Sequence, residues 1–175
     1  MGAGRMTRFG LLSAEGELLF AGRRYAAALG RGGMGRAKRE GDGATPLAFL
    51  ALREVLYRPD RLSPPQAAVP CRALTRAEGW CDDPADPAYN RPVRTPYPAR
   101  HEALWREDGL YDVIGVLGWN DVLPVPGRGS AIFLHPAAPD FAPTAGCIAL
   151  ARADLLDVLA AGLAGIAVLP PSSFP

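Results

Sequence analysis

From Pro59 to Pro98 the chain places nine prolines in forty residues. Proline fixes φ near −65° and has no backbone N–H, so such a run is neither a continuous helix nor a central strand. It is also too long for a routine connection, and long ordered loops in compact folds tend to be lids or binding loops. The regular elements must therefore lie on either side, with an insertion over about 58–108 carried as an excursion. Its most distinctive piece is "WCDDPADPAYNRP" (80–92). A solvated surface built on Asp-Pro turns is the plainer reading of that piece.

The flanks read as strands. "TRFGLLS" and "ELLFAGRRY" surround the turn signal "AEG". "GRGGMGR" (30–36) lacks the Gly-Lys-Ser/Thr ending of a phosphate loop and fits no dinucleotide fingerprint, so it reads as a flexible turn. "TPLAFLALREVLY" (Thr45 to Tyr57) is a proline-initiated strand, and "LYDVIGVLGWN" (110–120) is a buried strand ending at Trp119 and Asn120. After the "LPVPGRG" turn come "SAIFLH", a helix in "RADLLDVLAAGLAG" stopped by Gly165, and a last strand "IAVLP". Several strands, one helix and no βαβ alternation favour a mainly β fold. A length of 175 residues with 49% hydrophobic content fits one domain over 1–175.

A formal net charge of +1 gives no electrostatic reason to expect nucleic acid or an anionic membrane as partner. No segment approaches the roughly 20 apolar residues of a membrane span. "MGAGRMTRFGLLSAEGELLFAG" has early arginines but no continuous apolar region, because Glu15 and Glu17 interrupt it, so no signal peptide is visible. Cys71 and Cys81 bracket "CRALTRAEGWC" and would pair in an oxidising compartment or remain thiols elsewhere, leaving Cys147 unpaired in both cases. With two histidines and three cysteines widely spread, no metal site and no cofactor are expected.

The chemistry concentrates in "HPAAPDFAPTAGCIAL" (135–150). His135 ends an apolar strand, and a loop of twelve positions can fold back to bring Cys147 beside it. A nearby imidazole favours the thiolate, which is the nucleophile. Gly146 permits a tight backbone beside the thiol, and the N–H groups of Ala145, Gly146 and Cys147 could converge on an oxyanion. A buried inert thiol and a core histidine are the bland alternative.

These residues resemble the catalytic signature of L,D-transpeptidases of the YkuD type: His, a spacer, then Ser-His-Gly-Cys-Ile/Val-Arg. Here "TAGCIAL" follows His135, and Thr45, Pro46 and Phe49 echo an early Thr-Pro-x-Gly-x-Phe motif. The pieces "KREGDGATP", "WCDDPADPAYN" and "GRGSAIFLH" are similar to a bacterial branch of the family, so the likeness runs from about residue 7 to 169. It implies a β-sandwich with one or two short helices and a long Pro-rich lid-like insertion. It also implies peptidoglycan stem peptides as donor and acceptor, acylation by carbapenem-type β-lactams, and a periplasmic or cell-envelope location.

Carried over, Cys147 is the nucleophile, His135 the base, Gly146 part of the oxyanion turn, and Thr144 keeps the hydroxyl of the serine position. Only the carbonyl of Pro136 is left to orient the imidazole. Ala145 and Ala149 replace the usual histidine and arginine, and Ala48 replaces the early glycine. Substrate contacts are therefore expected from Tyr89, Asn90, Arg91, Arg94, Trp119, Asn120 and Arg128, because an arginine fork suits a carboxylate. The branch resemblance implies 1,3 links (L-alanine to diaminopimelate) rather than 3,3. A carboxypeptidase or endopeptidase of the same peptides and a non-catalytic wall-binding module are the rival readings.

Overall fold

A computed structural model describes residues 8–175. Thr7, the first residue of the expected opening strand, and the arginine at position 5 lie outside the described residues. In chain order the strands are β1 (Phe9–Leu12), β2 (Glu17–Phe20), β3 (Arg23–Ala28), β4 (Met34–Gly35), β5 (Thr45–Pro46), β6 (Phe49–Tyr57) and β7 (Cys71–Ala73). They continue with β8 (Glu78–Cys81), β9 (Pro92–Arg94), β10 (His101–Ala103), β11 (Val113–Gly118), β12 (Phe133–Pro136), β13 (Ile148–Leu150) and, after helix α1 (Arg152–Ala160), β14 (Gly165–Val168). The molecule is mainly β, as the sequence implies.

The main sheet runs β11-β12-β13-β3-β2-β1-β14-β6-β7, and β6 pairs back onto β11, so the ladder closes on itself. Strand β6 does this because it is nine residues long. Its first half pairs with β14, its second half with β7, and its other edge with β11. Alternation then sorts the side chains. Leu50, Leu52, Val55, Val113, Leu117, Leu134, Ile148 and Leu150 join the inner core with Leu155, Val158 and Leu159 of α1. Leu56, Ile114, Val116, Phe133 and Cys147 form a second cluster on the opposite face, with Leu74, Trp80, Leu104 and Tyr111. Strand β11 is thus buried on both faces, which is why "VIGVLG" is continuously apolar instead of alternating.

The proline-rich segment covers that outer face. It is more regular than its sequence implies: β10-β8-β9 form a small antiparallel sheet, and β7 is the edge strand of the main one. Proline sits where the rule allows, with Pro92 opening β9 at a sheet edge. The two ends of the segment are clasped by Arg58, which is 1% exposed. Its guanidinium makes two parallel bonds to Asp60 at 2.9 and 2.8 Å, donates to the carbonyl of Arg106, and stacks 3.8 Å from the Trp105 ring centre.

Two sequence expectations shift at their boundaries. The helix ends at Ala160, not at Gly165. Gly162 takes φ +93° and its N–H donates to Leu159, while the Leu163 N–H reaches Val158, so a left-handed glycine cap stops the helix early. Gly165 instead opens β14. Cys71 and Cys81 are both free thiols. Among the described residues no helix is long and apolar enough to cross a membrane.

Candidate active site

His135 and Cys147 come together through strand register. Strands β12 and β13 are parallel, with Leu134 opposite Ile148 and His135 opposite Ala149. Cys147, one residue before Ile148, therefore stands beside Phe133 and on the face that His135 shares. Both side chains point away from the inner core, are 6–7% exposed, and line one cavity of about 620 Å³ between the sheet and the proline-rich segment.

The imidazole is oriented by its own strand. Nδ1 lies 2.8 Å from the carbonyl of Pro136. A carbonyl only accepts, so Nδ1 carries the proton in the neutral ring and Nε2 keeps its lone pair. The Tyr111 ring meets the imidazole edge to face at 5.2 Å. Burial lowers the imidazole pKa below its ordinary value, against the pull of the Pro136 carbonyl.

The thiol is held as a thiol. Sγ–H donates to the carbonyl of Ala131 at 3.3 Å, and Sγ accepts the Phe133 N–H at 3.4 Å. Burial, with a smaller contribution from the Glu102 carboxylate, pushes its pKa up to about 12. Both shifts favour a neutral thiol and a neutral imidazole over an ion pair.

The turn before the thiol is built from glycine and threonine. Gly146 takes φ +135°, and a Cβ there would lie 2.9 Å from the Ala44 carbonyl oxygen. Thr144 Oγ1 accepts the Gly146 N–H at 3.1 Å and donates to the Cys147 carbonyl at 2.7 Å. Of the three N–H groups expected at an oxyanion, Gly146's is thus engaged, whereas those of Ala145 and Cys147 have no acceptor among the described residues. From below, Thr45 Oγ1 donates to the Gly146 carbonyl at 3.0 Å and accepts the Gly30 N–H at 2.9 Å.

The "GRGGMGR" stretch, expected as a flexible turn, is part of this support. Gly30 bridges to Thr144, and a Cβ at Gly30 would sit 2.9 Å from the Gly146 Cα. Only a residue without a side chain lets the two backbones approach so closely.

None of the seven expected substrate contacts lines the cavity. Tyr89 is buried, with its hydroxyl on Glu40 at 2.5 Å. Asn90, at φ +57°, accepts from the Trp80 indole and the Ala131 N–H and donates to the carbonyls of Trp119 and Asn120. Trp119 donates to the Arg128 carbonyl, and Asn120 ties down the loop through Val125 and Gly129. Arg91 reaches the carbonyls of Asp121 and Val122, Arg94 lies at a separate shallow pocket with Glu78, and the Arg128 side chain is exposed.

The polar lining comes from elsewhere: Arg31 from the glycine-rich stretch, Lys38 and Glu40 just after it, and Asp82, Arg100, Glu102 and Arg106 from the insertion. The same wall carries Ala145 and Ala149. Glu102 and Arg106 fall in "HEALWRED", a segment with no motif to single them out. Lys38 had one signal, being the only lysine of the chain. It is buried against Asp42 and the Arg39 carbonyl.

A closed β ladder thus brings a histidine on one strand and a cysteine just before the next to face one cavity. The chain matches the model of the YkuD family, the L,D-transpeptidase catalytic domain, over residues 11–166, and it belongs to that family. No curated protein matches it. The family implies a peptidoglycan substrate and is typically of the cell envelope.

Proposed function

We propose that this protein is a peptidoglycan L,D-transpeptidase that works through a Cys147 thioester. The observation that supports it most is the shared face of His135 and Cys147, with Nδ1 on the Pro136 carbonyl so that the lone pair of the neutral ring falls to Nε2. The donor carbonyl enters the cavity, and Nε2 takes the thiol proton as Sγ attacks. Attack and deprotonation are concerted because the thiolate is not stored beforehand. The developing oxyanion is held by the N–H groups of Cys147 and Ala145, in a turn that Thr144 and Gly146 fix. The imidazolium then protonates the departing amine, leaving the thioester.

The acceptor amine attacks that thioester, passes its proton to Nε2, and an amide and a free thiol result. The insertion acts as a lid that limits water at the thioester, since one wall of the cavity is made from it. The bond made is proposed to be 1,3, from L-alanine of the donor to diaminopimelate of the acceptor. In support, the cavity wall carries only methyl groups at Ala145 and Ala149, where the usual family signature has a histidine and an arginine. The site of action is the periplasm. Incubation with a carbapenem and mass analysis of the intact chain tests the acylation half. The expected result is one adduct, mapped to the Cys147 peptide and absent from Cys147→Ala, and an unmodified native chain would refute the reading.

A further inference from the structure

A thioester made in this cavity must meet an amine that arrives protonated. An aliphatic ammonium has no lone pair, so two protons must leave the nitrogen before the amide is complete. His135 can take only one of them per turnover, because it must return that proton to the Cys147 sulfur as it departs. The cavity therefore needs a second group that attracts an ammonium and accepts a proton, close to the imidazole.

Three carboxylates line the cavity, and each keeps one oxygen that accepts no hydrogen bond from the described residues. Asp82 is held by the Arg100 guanidinium at 3.0 Å. Glu40 takes the hydroxyls of Tyr89 and Ser130 on one oxygen, at 2.5 and 2.7 Å. Glu102 differs in its partner: its Oε1 accepts the hydroxyl of Tyr111 at 2.6 Å, and its Oε2 is the open oxygen. The nearest guanidinium, of Arg106, stays 3.7 Å away because its fork is turned to Asp108. Tyr111 is the residue whose ring packs on His135, so the carboxylate and the imidazole are set by one side chain. Among the groups acting on the Cys147 thiol, Glu102 is the acidic one, and burial raises its own pKa.

Building on the transpeptidase reading above, we propose that Glu102 is the acceptor-binding residue, which receives the primary ammonium of the incoming strand beside the Cys147 thioester and takes its first proton. The nitrogen, now neutral, attacks the thioester carbonyl and loses its second proton to His135 Nε2. That attack forms the C–N bond; collapse of the tetrahedral intermediate then restores the carbonyl, breaks the C–S bond, and returns the proton from His135 to the sulfur. Glu102 releases its own proton to solvent as the product leaves.

The test compares two nucleophiles on the same acyl-enzyme of the full chain, loaded with a defined donor stem peptide. One is a diaminopimelate-bearing stem peptide, charged at neutral pH; the other is hydroxylamine, which is uncharged there. Glu102→Gln is expected to lower transfer to the charged acceptor at least about tenfold relative to acylation, and transfer to hydroxylamine by less than about threefold. Glu102→Asp should recover part of the loss. Tyr111→Phe removes only the hydroxyl that holds the carboxylate, and should give an intermediate loss with the same selectivity.

Equal losses for both nucleophiles in Glu102→Gln and Tyr111→Phe, or no loss in either, would overturn the assignment. If the native chain transfers to the charged acceptor and Glu102→Gln does so equally well, only this inference fails. If the native chain forms the thioester and transfers to neither nucleophile, the transpeptidase reading falls and takes this one with it.

Discussion

Thr45 donates its hydroxyl to the carbonyl of Gly146 at 3.0 Å, across 101 residues of sequence, and so fixes the turn on which Cys147 stands. Both partners are buried, and the same oxygen satisfies the N–H of Gly30. Replacing Thr45 by valine keeps the shape and strands a donor and an acceptor. The expected cost is about 2 kcal/mol of stability, with a loss of acylation larger than the loss of fold. Thr45→Ser should retain both. Denaturant melts beside acylation rates measure the two separately.

Gly146 cannot carry a side chain. At φ +135° with a carbonyl 2.9 Å from the missing Cβ, Gly146→Ala must move the backbone under Cys147. The expected cost is about 1–3 kcal/mol, with acylation reduced more than tenfold in protein that is still folded. Native-like circular dichroism with unchanged acylation would show that the turn geometry does not matter.

These two residues show what sequence could and could not reveal. The Gly-Cys pair, the histidine and the early Thr-Pro are legible because each position permits few residue types. Thr45 is named by the family motif, but its bond to Gly146 depends on long-range packing that no local pattern encodes. The same limit explains why the seven expected substrate contacts stand outside the lining of this cavity. Asn90 and Trp119 stand out by residue type, yet their polar groups are used up in tying the insertion to the 120–129 loop. Glu102 and Arg106 sit in an unremarkable charged stretch and reach the cavity only because β10 pairs with β8.

The resting thiol gives a pH signature. With burial pushing the Cys147 pKa up to about 12, the thiolate is a small minority at pH 8. Alkylation of Cys147 by iodoacetamide, followed on its own peptide, should rise about tenfold per pH unit from 8 to 10. A rate that is flat down to pH 6 would mean a stored thiolate–imidazolium pair.

His135 sets the acid side. Its pKa in the folded chain lies below the ordinary 6.5, so on acidification the unfolded chain takes up the proton first. Its contribution is complete above about pH 6.5 and is lost as pH falls through the lower folded value. Urea midpoints between pH 7 and 5 should therefore fall more steeply for the native chain than for His135→Gln. Parallel curves would contradict this.

Arg58 clasps the insertion. Arg58→Ala removes a buried stem, the stack on Trp105 and the bonds to Asp60 and the Arg106 carbonyl together, at an expected cost of about 2–4 kcal/mol. Limited proteolysis should then cut first within 58–108. Arg58→Lys should not restore protection, because an ammonium cannot make the paired bonds.

The central claim is acyl transfer through Cys147, and it is tested most directly by incubating defined muropeptides with the native chain and with Cys147→Ala and analysing the products by mass spectrometry. The account predicts crosslinked dimers from the native chain alone, with fragmentation placing the new amide between L-alanine and diaminopimelate. Shortened monomers without dimers, or dimers formed equally by Cys147→Ala, would contradict it.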